Sequence, residues 1–202
     1  MSSLLIEYRP FVLKERLQST SGLLRVKGVL QRAEAKNQNG RVYPKEVLVR
    51  EAKSYLDEAV KQNRAMGELD HPDSSTVSLA NTSHVIKDMW WEGDDLLGVV
   101  EILDTPAGRI LKSLFESNVT VGISSRGVGS VKEVYTEGNG SAMEVQEDFK
   151  LIAFDFVSDP SVHNAFMKPV KESKENTSNS ASKINNTINQ IIQDSVGLGL
   201  SK

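Results

Sequence analysis

A serine hydroxyl attacks a carbonyl only when a neighbouring base takes its proton. The serine pair best placed for such chemistry lies in Val121-Gly-Ile-Ser-Ser-Arg-Gly-Val-Gly-Ser130, a glycine-rich stretch that opens as a strand. Side chains alternate between the two faces of an extended chain. Val121, Ile123 and Ser125 therefore share one mostly apolar face, and Gly122, Ser124 and Arg126 share the other. Glycine beside Ser124 lets a substrate backbone come close. Ser124 is the candidate nucleophile, and Ser125 is the packing residue. Without a base, a serine in a glycine-rich strand is structural.

The chain holds three histidines, His71, His84 and His163, so the search for that base is short. His71 stands in Met66-Gly-Glu-Leu-Asp-His-Pro72, where Pro72 disfavours helix before it and leaves His71 in a loop at a strand end. Loops on a rigid scaffold are where reactive groups concentrate. His84 begins a strand, and His163 follows Asp159-Pro-Ser-Val. Another reading of the same residues is a metal hydrolase with Glu68, Asp70, His71 and His84 as ligands, although Asp-x-His spacing by itself says little.

Strands and helices must position these groups. Leu4–Tyr8 reads as an edge strand, and Leu23–Ala33 as a strand bent at Gly28. Asn39-Gly40 is a turn signal, and Tyr43 and Pro44 after it read as architecture. Pro44 opens a helix to about Asn63, with Leu48, Ala52, Tyr55, Leu56, Ala59 and Val60 as its apolar stripe. His84–Trp91 and Leu96–Leu103 pair as strands around Glu92-Gly-Asp-Asp95. Trp90 and Trp91 alternate faces, one in the core and one lining a groove or interface. Thr105 caps a short helix with Pro106 at its first position and Ile110, Leu111, Leu114 and Phe115 inward. Strands over Gly129–Tyr135 and Glu144–Val157 follow, the expected turn falling at Glu137-Gly-Asn-Gly-Ser141. The order is strand-rich without βαβ alternation, which predicts an α+β fold around a mostly antiparallel barrel or sheet ringed by helices. Residues 1–22 read as an N-terminal segment and 23–170 as the main domain. Residues 171–202 read as a flexible tail whose Ile184, Ile188, Ile191 and Ile192 mark a short amphipathic helix.

Composition narrows the classes. A net charge of −3 offers no general attraction to nucleic acid or anionic membrane. There are no cysteines, hence no disulfide, thiolate metal site or cysteine nucleophile. No apolar run reaches the ~18 residues of a membrane span, and the first residues lack a signal-peptide pattern. The expectation is a soluble, intracellular protein without a cofactor or bound metal.

Four motifs in order, Asn39-Gly-Arg-Val-Tyr-Pro44, Met66-Gly-Glu-Leu-Asp-His-Pro72, Asp88-Met-Trp-Trp91 and Gly122-Ile-Ser-Ser-Arg-Gly127, resemble the prohead core protein proteases of T-even-type tailed bacteriophages. The resemblance spans about Arg25 to Pro169. It implies a serine endopeptidase that matures capsid precursors and scaffold or core proteins inside the prohead, in the host cytoplasm. It implies a fold similar to the herpesvirus maturation proteases. It also puts the catalytic histidine on His71 and the nucleophile on Ser124. A non-enzymatic scaffold component on the same fold is the other reading, and self-association is left open.

A histidine base gains from a partner that holds its tautomer. Asp155, in Leu151-Ile-Ala-Phe-Asp-Phe-Val157, shares an apolar strand face with Leu151, Ala153 and Val157, where a carboxylate must be paired. Asp159, Asp70 and Glu68 are its alternatives, and the herpesvirus enzymes use a second histidine in this role. Arg126 and the Gly127 amide are candidate oxyanion or substrate donors. The resemblance further implies cleavage after glutamate with Leu or Ile two residues before it. That pattern occurs at Leu5-Ile-Glu7 in a segment expected to be exposed, so autocleavage after Glu7 is expected, and at Leu114-Phe-Glu116 within a predicted helix.

Overall fold

Short β-branched and aromatic runs punctuated by glycine dominate the chain, and they fold as strands. The computed structural model describes residues 3–10, 15–18, 22–136 and 140–158, which form eleven strands and two α-helices. The tail, His163, Asp159 and the boundary after residue 170 lie outside the described residues.

Five strands form one antiparallel sheet in the order β2 (Glu15–Gln18), β3 (Leu24–Arg32), β7 (Asp95–Ile102), β6 (Thr82–Glu92) and β5 (Met66–Glu68). A second antiparallel sheet places β8 (Gly122–Gly129) between β1 (Ser3–Pro10) and β11 (Lys150–Val157). A third joins β4 (Arg41–Val42), β10 (Gly140–Val145) and β9 (Val131–Thr136), with β4 parallel to β10. A parallel bridge, Leu69 to Phe156, ties the end of β5 to β11. The fold class is α+β as expected, but no closed barrel forms among the described residues, because the ladders are distributed over three sheets.

Helix α1 (Lys45–Tyr55) starts after Pro44, whose extended conformation makes it the cap, and continues into a π-helical turn over Leu56–Val60. Its buried side includes Val47 and Glu51 beyond the expected stripe. Glu51 tolerates burial because its carboxylate accepts from Leu151 N (3.2 Å) beside a bulge in β11. Helix α2 (Pro106–Glu116) has the expected cap: Thr105 Oγ1 accepts from Gly108 N at 3.0 Å. Ile110, expected inward, is 55% exposed, and Gly108 takes the buried side. A Cβ at Gly108 would lie 2.0 Å from the Leu103 carbonyl oxygen, so the helix backbone itself approaches the sheet. Strand β3 is irregular between Val29 and Gln31 rather than at Gly28, which pairs with Gly98 in register.

The main core gathers Val26, Leu30, Ile86 and Val100 of the large sheet, Ile123, Phe154 and Phe156 of the second, and Leu111 and Phe115 of α2. A smaller core holds Leu5, Tyr43, Val47, Leu48, Val145 and Phe149. The N-terminal segment forms the edge strand expected over Leu4–Tyr8, but Leu5 is covered where an exposed segment was expected. Ser3–Pro10 is a strand paired along its length to β8, and Leu5 is buried in the second core.

Candidate functional site

The site forms where three neighbouring stretches meet. Backbone pairing sets Asp155 of β11 directly opposite Ser124 of β8, so their side chains share a face. The chain leaving β5 is pinned to β11 by the Leu69–Phe156 bridge and by Asp70 N donating to Phe156 O (2.8 Å). Asp70 takes a left-handed φ of 65°, a conformation that Asp tolerates better than most side chains. The chain turns there, and His71 follows with Pro72 after it.

His71 Nε2 contacts Ser124 Oγ, and His71 Nδ1 lies 3.0 Å from Asp155 Oδ2. Asp155 has no exposed side-chain surface, and His71 retains only 8%. Burial alone would push the Asp155 carboxyl upward. His71, the Glu68 amide and the Arg126 guanidinium outweigh it and hold the carboxyl below its ordinary value. Asp155 is therefore a carboxylate at neutral pH. Glu68 N donates to Asp155 Oδ1 at 2.9 Å.

Arg126 lies on the same face as Ser124, as alternation requires, yet it is fully buried. Its Nε lies 2.9 Å from Asp155 Oδ2, and its Nη2 donates to Asp155 Oδ1 (3.2 Å) and Glu68 Oε1 (3.1 Å). Its Nη1 donates to the carbonyls of Ser74 (2.7 Å) and Thr76 (3.2 Å). His71 Nδ1 and Arg126 Nε both approach the same Asp155 oxygen, Oδ2. Glu68 Oε1 also accepts from Ser78 N at 3.0 Å, so one buried network moors the loop after His71.

This geometry corrects two expected roles. All three guanidinium nitrogens of Arg126 are engaged inside the network, leaving it no donor for an oxyanion. Gly127 is paired in the middle sheet between Leu5 and Leu151. A Cβ there would lie 2.4 Å from Phe149 Cε2, so this glycine makes room for an aromatic ring. Ser125 packs on the opposite side, accepting from Gln31 Nε2 at 3.0 Å. Gln31 is a buried partner that nothing in the local pattern marked.

His84 is buried behind the site. The Phe154 carbonyl, 2.9 Å from Nε2, can only accept, so Nε2 carries the proton and Nδ1 accepts from Ser83 Oγ (2.8 Å). Burial pulls its pKa down to about 4. Gly67 packs against this ring, where a Cβ would lie 2.3 Å from Nε2. Among the described residues no group of three or more His, Asp or Glu is placed to hold a metal ion, so Glu68, Asp70, His71 and His84 do not converge as a ligand set.

A hydroxyl, an imidazole and a carboxylate in contact series can move a proton from Ser124 to His71 and stabilise the resulting imidazolium. Residues 6–175 match the family model described as prohead core protein serine protease. The chain is 36% identical over 149 residues to the prohead core protein protease of Enterobacteria phage T4, covering 72% of this chain and 68% of that protein. It also matches the solved structure of the bacteriophage T4 capsid assembly protease with a TM-score of 0.69. That match has 31% identity and covers 77% of this chain and 98% of the other.

Proposed function

Because the chain belongs to the prohead core protein serine protease family, we propose that it is a serine endopeptidase of capsid maturation, with Ser124 as nucleophile, His71 as general base and Asp155 as the group that orients His71. The contact series from Ser124 Oγ to His71 Nε2, and from His71 Nδ1 to Asp155 at 3.0 Å, carries this reading. Ser124 Oγ bonds to the scissile carbonyl carbon as its proton passes to His71 Nε2. The tetrahedral intermediate collapses by breaking the C–N bond, and His71 returns the proton to the leaving amine. Water then repeats the sequence on the acyl-enzyme and restores Ser124. The Asp155 carboxylate stabilises the imidazolium in both halves.

The proposed substrates are scaffold or core proteins and the capsid precursor within the prohead, in the host cytoplasm. Cleavage falls after glutamate in Leu/Ile-x-Glu sites and includes this chain's own Glu7. Kinship of fold with the herpesvirus maturation proteases belongs to the same proposal, and superposition of the sheets around each nucleophile tests it. The principal experiment co-expresses the chain with its cognate scaffold and capsid precursors and reads the products by intact mass. Ser124→Ala and His71→Ala should each lower cleavage by about 10⁴-fold or more, and the double variant should be no worse, since residues acting as one unit are not additive. Cleavage by Ser124→Ala at the wild-type rate would remove the serine mechanism and favour a scaffold component acted on by another enzyme.

A further inference from the structure

Glu68, the last residue of β5, is 1% exposed. A carboxylate that deep needs partners, because desolvation opposes its charge. Glu68 finds them in each of the stretches that assemble the site. Its amide donates to Asp155 Oδ1 on β11 at 2.9 Å. Its Oε1 accepts from Arg126 Nη2 on β8 at 3.1 Å and from Ser78 N in the loop beyond His71 at 3.0 Å. The residue before it permits this approach. A Cβ on Gly67 would lie 2.0 Å from the Phe154 carbonyl oxygen, so β5 comes this close to the strand carrying Asp155 only with glycine there. The register of β5 on β6 shifts between Gly67 and Glu68, a bulge of the kind that re-aims the side chain beside it.

Charge supplies the other half of the argument. Contacts of 3.1, 3.2 and 3.0 Å run from Glu68 Oε1 to Arg126 Nη2, from Nη2 to Asp155 Oδ1, and from Asp155 Oδ2 to His71 Nδ1. The Glu68 carboxylate therefore lies within about 10 Å of the imidazole, where a unit charge at an effective dielectric of about 20 moves a titration by about one pH unit. The groups around the ring keep their charge near neutral pH. Asp155 of β11 is a carboxylate paired with the Arg126 guanidinium of β8. Tyr55 of α1 feels both charges, and burial pushes its hydroxyl upward, so it stays neutral. His84 of β6, pulled down to about 4 by burial, stays neutral as well. Asp70 and Asp73 flank His71 along the chain. Asp155 and Arg126 cancel one another, and Glu68 is the charge left over.

We propose that Glu68 is a positioning residue for the proton transfer: through Arg126 and Asp155 it supplies the unbalanced negative charge that favours the imidazolium, and through Ser78 it moors the loop beyond His71. This rests on Ser124, His71 and Asp155 being the reacting unit. Glu68 acts through its neighbours and needs no contact with substrate.

The test separates charge from hydrogen bonding. Glu68 Oε2 accepts no hydrogen bond among the described residues, so in Glu68→Gln an amide oxygen at the Oε1 position keeps the bonds to Arg126 and Ser78. The full chain with Ser124→Ala, to keep it uncleaved, is labelled with 13C-histidine and followed by NMR from pH 4.5 to 8.5, with and without Glu68→Gln. The signal that His71→Ala removes should titrate about one pH unit lower in Glu68→Gln. With Ser124 restored, the acid limb of kcat/KM on the cognate capsid precursor should move down by about the same interval. Its kcat should fall at least about threefold while KM stays within about twofold. Glu68→Asp keeps the charge and draws it back from Ser78, so its midpoint should stay within about 0.3 pH unit of the parent; it also serves should Glu68→Gln fail to fold. An unmoved midpoint in Glu68→Gln, or a drop of a full pH unit in Glu68→Asp, overturns the proposal. The titration needs no catalysis, so its failure is distinct from failure of the protease reading. Cleavage that persists in Ser124→Ala beside a shifted midpoint would sink the serine mechanism, and with it the part of Glu68 in the reaction.

Discussion

His84 offers a quantitative check on the separation between the reactive histidine and the structural one. Its folded pKa is pulled down to about 4, chiefly by complete burial, with the Asp155 charge and the Phe154 carbonyl opposing. In the unfolded chain it returns to about 6.5. Below pH 6.5 the unfolded chain therefore takes up a proton that the folded one refuses. The stability linked to this residue is full above pH 6.5 and declines as pH falls toward 4. The interval is worth about 3 kcal/mol in all, of which about 2.5 is lost between pH 7 and pH 4.5. His84→Gln keeps a donor for the Phe154 carbonyl and removes the titration. Losing the ring contact with Phe156, at 4.7 Å between centroids, should lower stability equally at every pH. Urea unfolding of both proteins at pH 4.5, 5.5, 6.5 and 7.5 separates the two effects, because all other groups are common to both. The expected result is a wild-type advantage that shrinks by about 2.5 kcal/mol from pH 7 to 4.5. A difference independent of pH would show that His84 titrates normally in the fold and would refute the assigned burial and tautomer. Proteolysis by His84→Gln should stay within a few-fold of wild type, whereas His71→Ala should abolish it.

Ser125→Ala should keep substantial proteolytic activity, because Ser125 bonds Gln31 rather than His71; a dead Ser125→Ala beside an active Ser124→Ala would reverse the strand faces. Arg126→Lys should lower kcat/KM at least tenfold with the fold retained by circular dichroism, since a point charge cannot replace a fork spanning Asp155, Glu68 and two carbonyls. Wild-type kcat/KM in Arg126→Lys would remove Arg126 from any positioning role. N-terminal sequencing after long incubation should reveal a new terminus at Tyr8 in wild type and not in Ser124→Ala. An intact terminus in a demonstrably active preparation would count against autocleavage there.

The three residues now read as one proton path were legible because each sits where a simple rule applies. Two-residue periodicity separates Ser124 from Ser125, Pro72 forces His71 out of helix, and an aspartate on the apolar face of β11 had to find a partner. Alternation names a face, however, and says nothing of depth. Arg126 was correctly set beside Ser124, yet it reaches inward to groups more than 25 residues away in sequence at the nearest, Asp155 being 29 along. Gly127 suggested a free amide, but its reason is the Phe149 ring, which comes from the turn just before β11. Gln31 was invisible as a network member because its partner, Ser125, is set by tertiary contact alone, and Glu68, weighed only as a partner for the histidine or a metal ligand, instead pairs with Arg126. The first residues read as an edge strand, and nothing local could say that the strand beside them carries the nucleophile.

The buried charges give a reason for an arginine beside the proposed nucleophile that does not require it to act on substrate. Its Nη2 touches Glu68 at 3.1 Å and Asp155 at 3.2 Å, so those carboxylate oxygens lie within about 6 Å of each other. Two such charges repel by about 3 kcal/mol at an effective dielectric of about 20, and burial adds a further penalty to each. Arg126 between them leaves the trio with one net negative charge. When His71 takes the Ser124 proton, the cluster of four becomes neutral, so the imidazolium forms where a compensating charge already waits. Moving the proton therefore requires little rearrangement of buried groups. The same Nη1 holds the Ser74 and Thr76 carbonyls, which fixes the loop that leaves His71. A guanidinium committed to two carboxylates and two carbonyls cannot also turn toward a developing oxyanion. Those donors must come from elsewhere around Ser124.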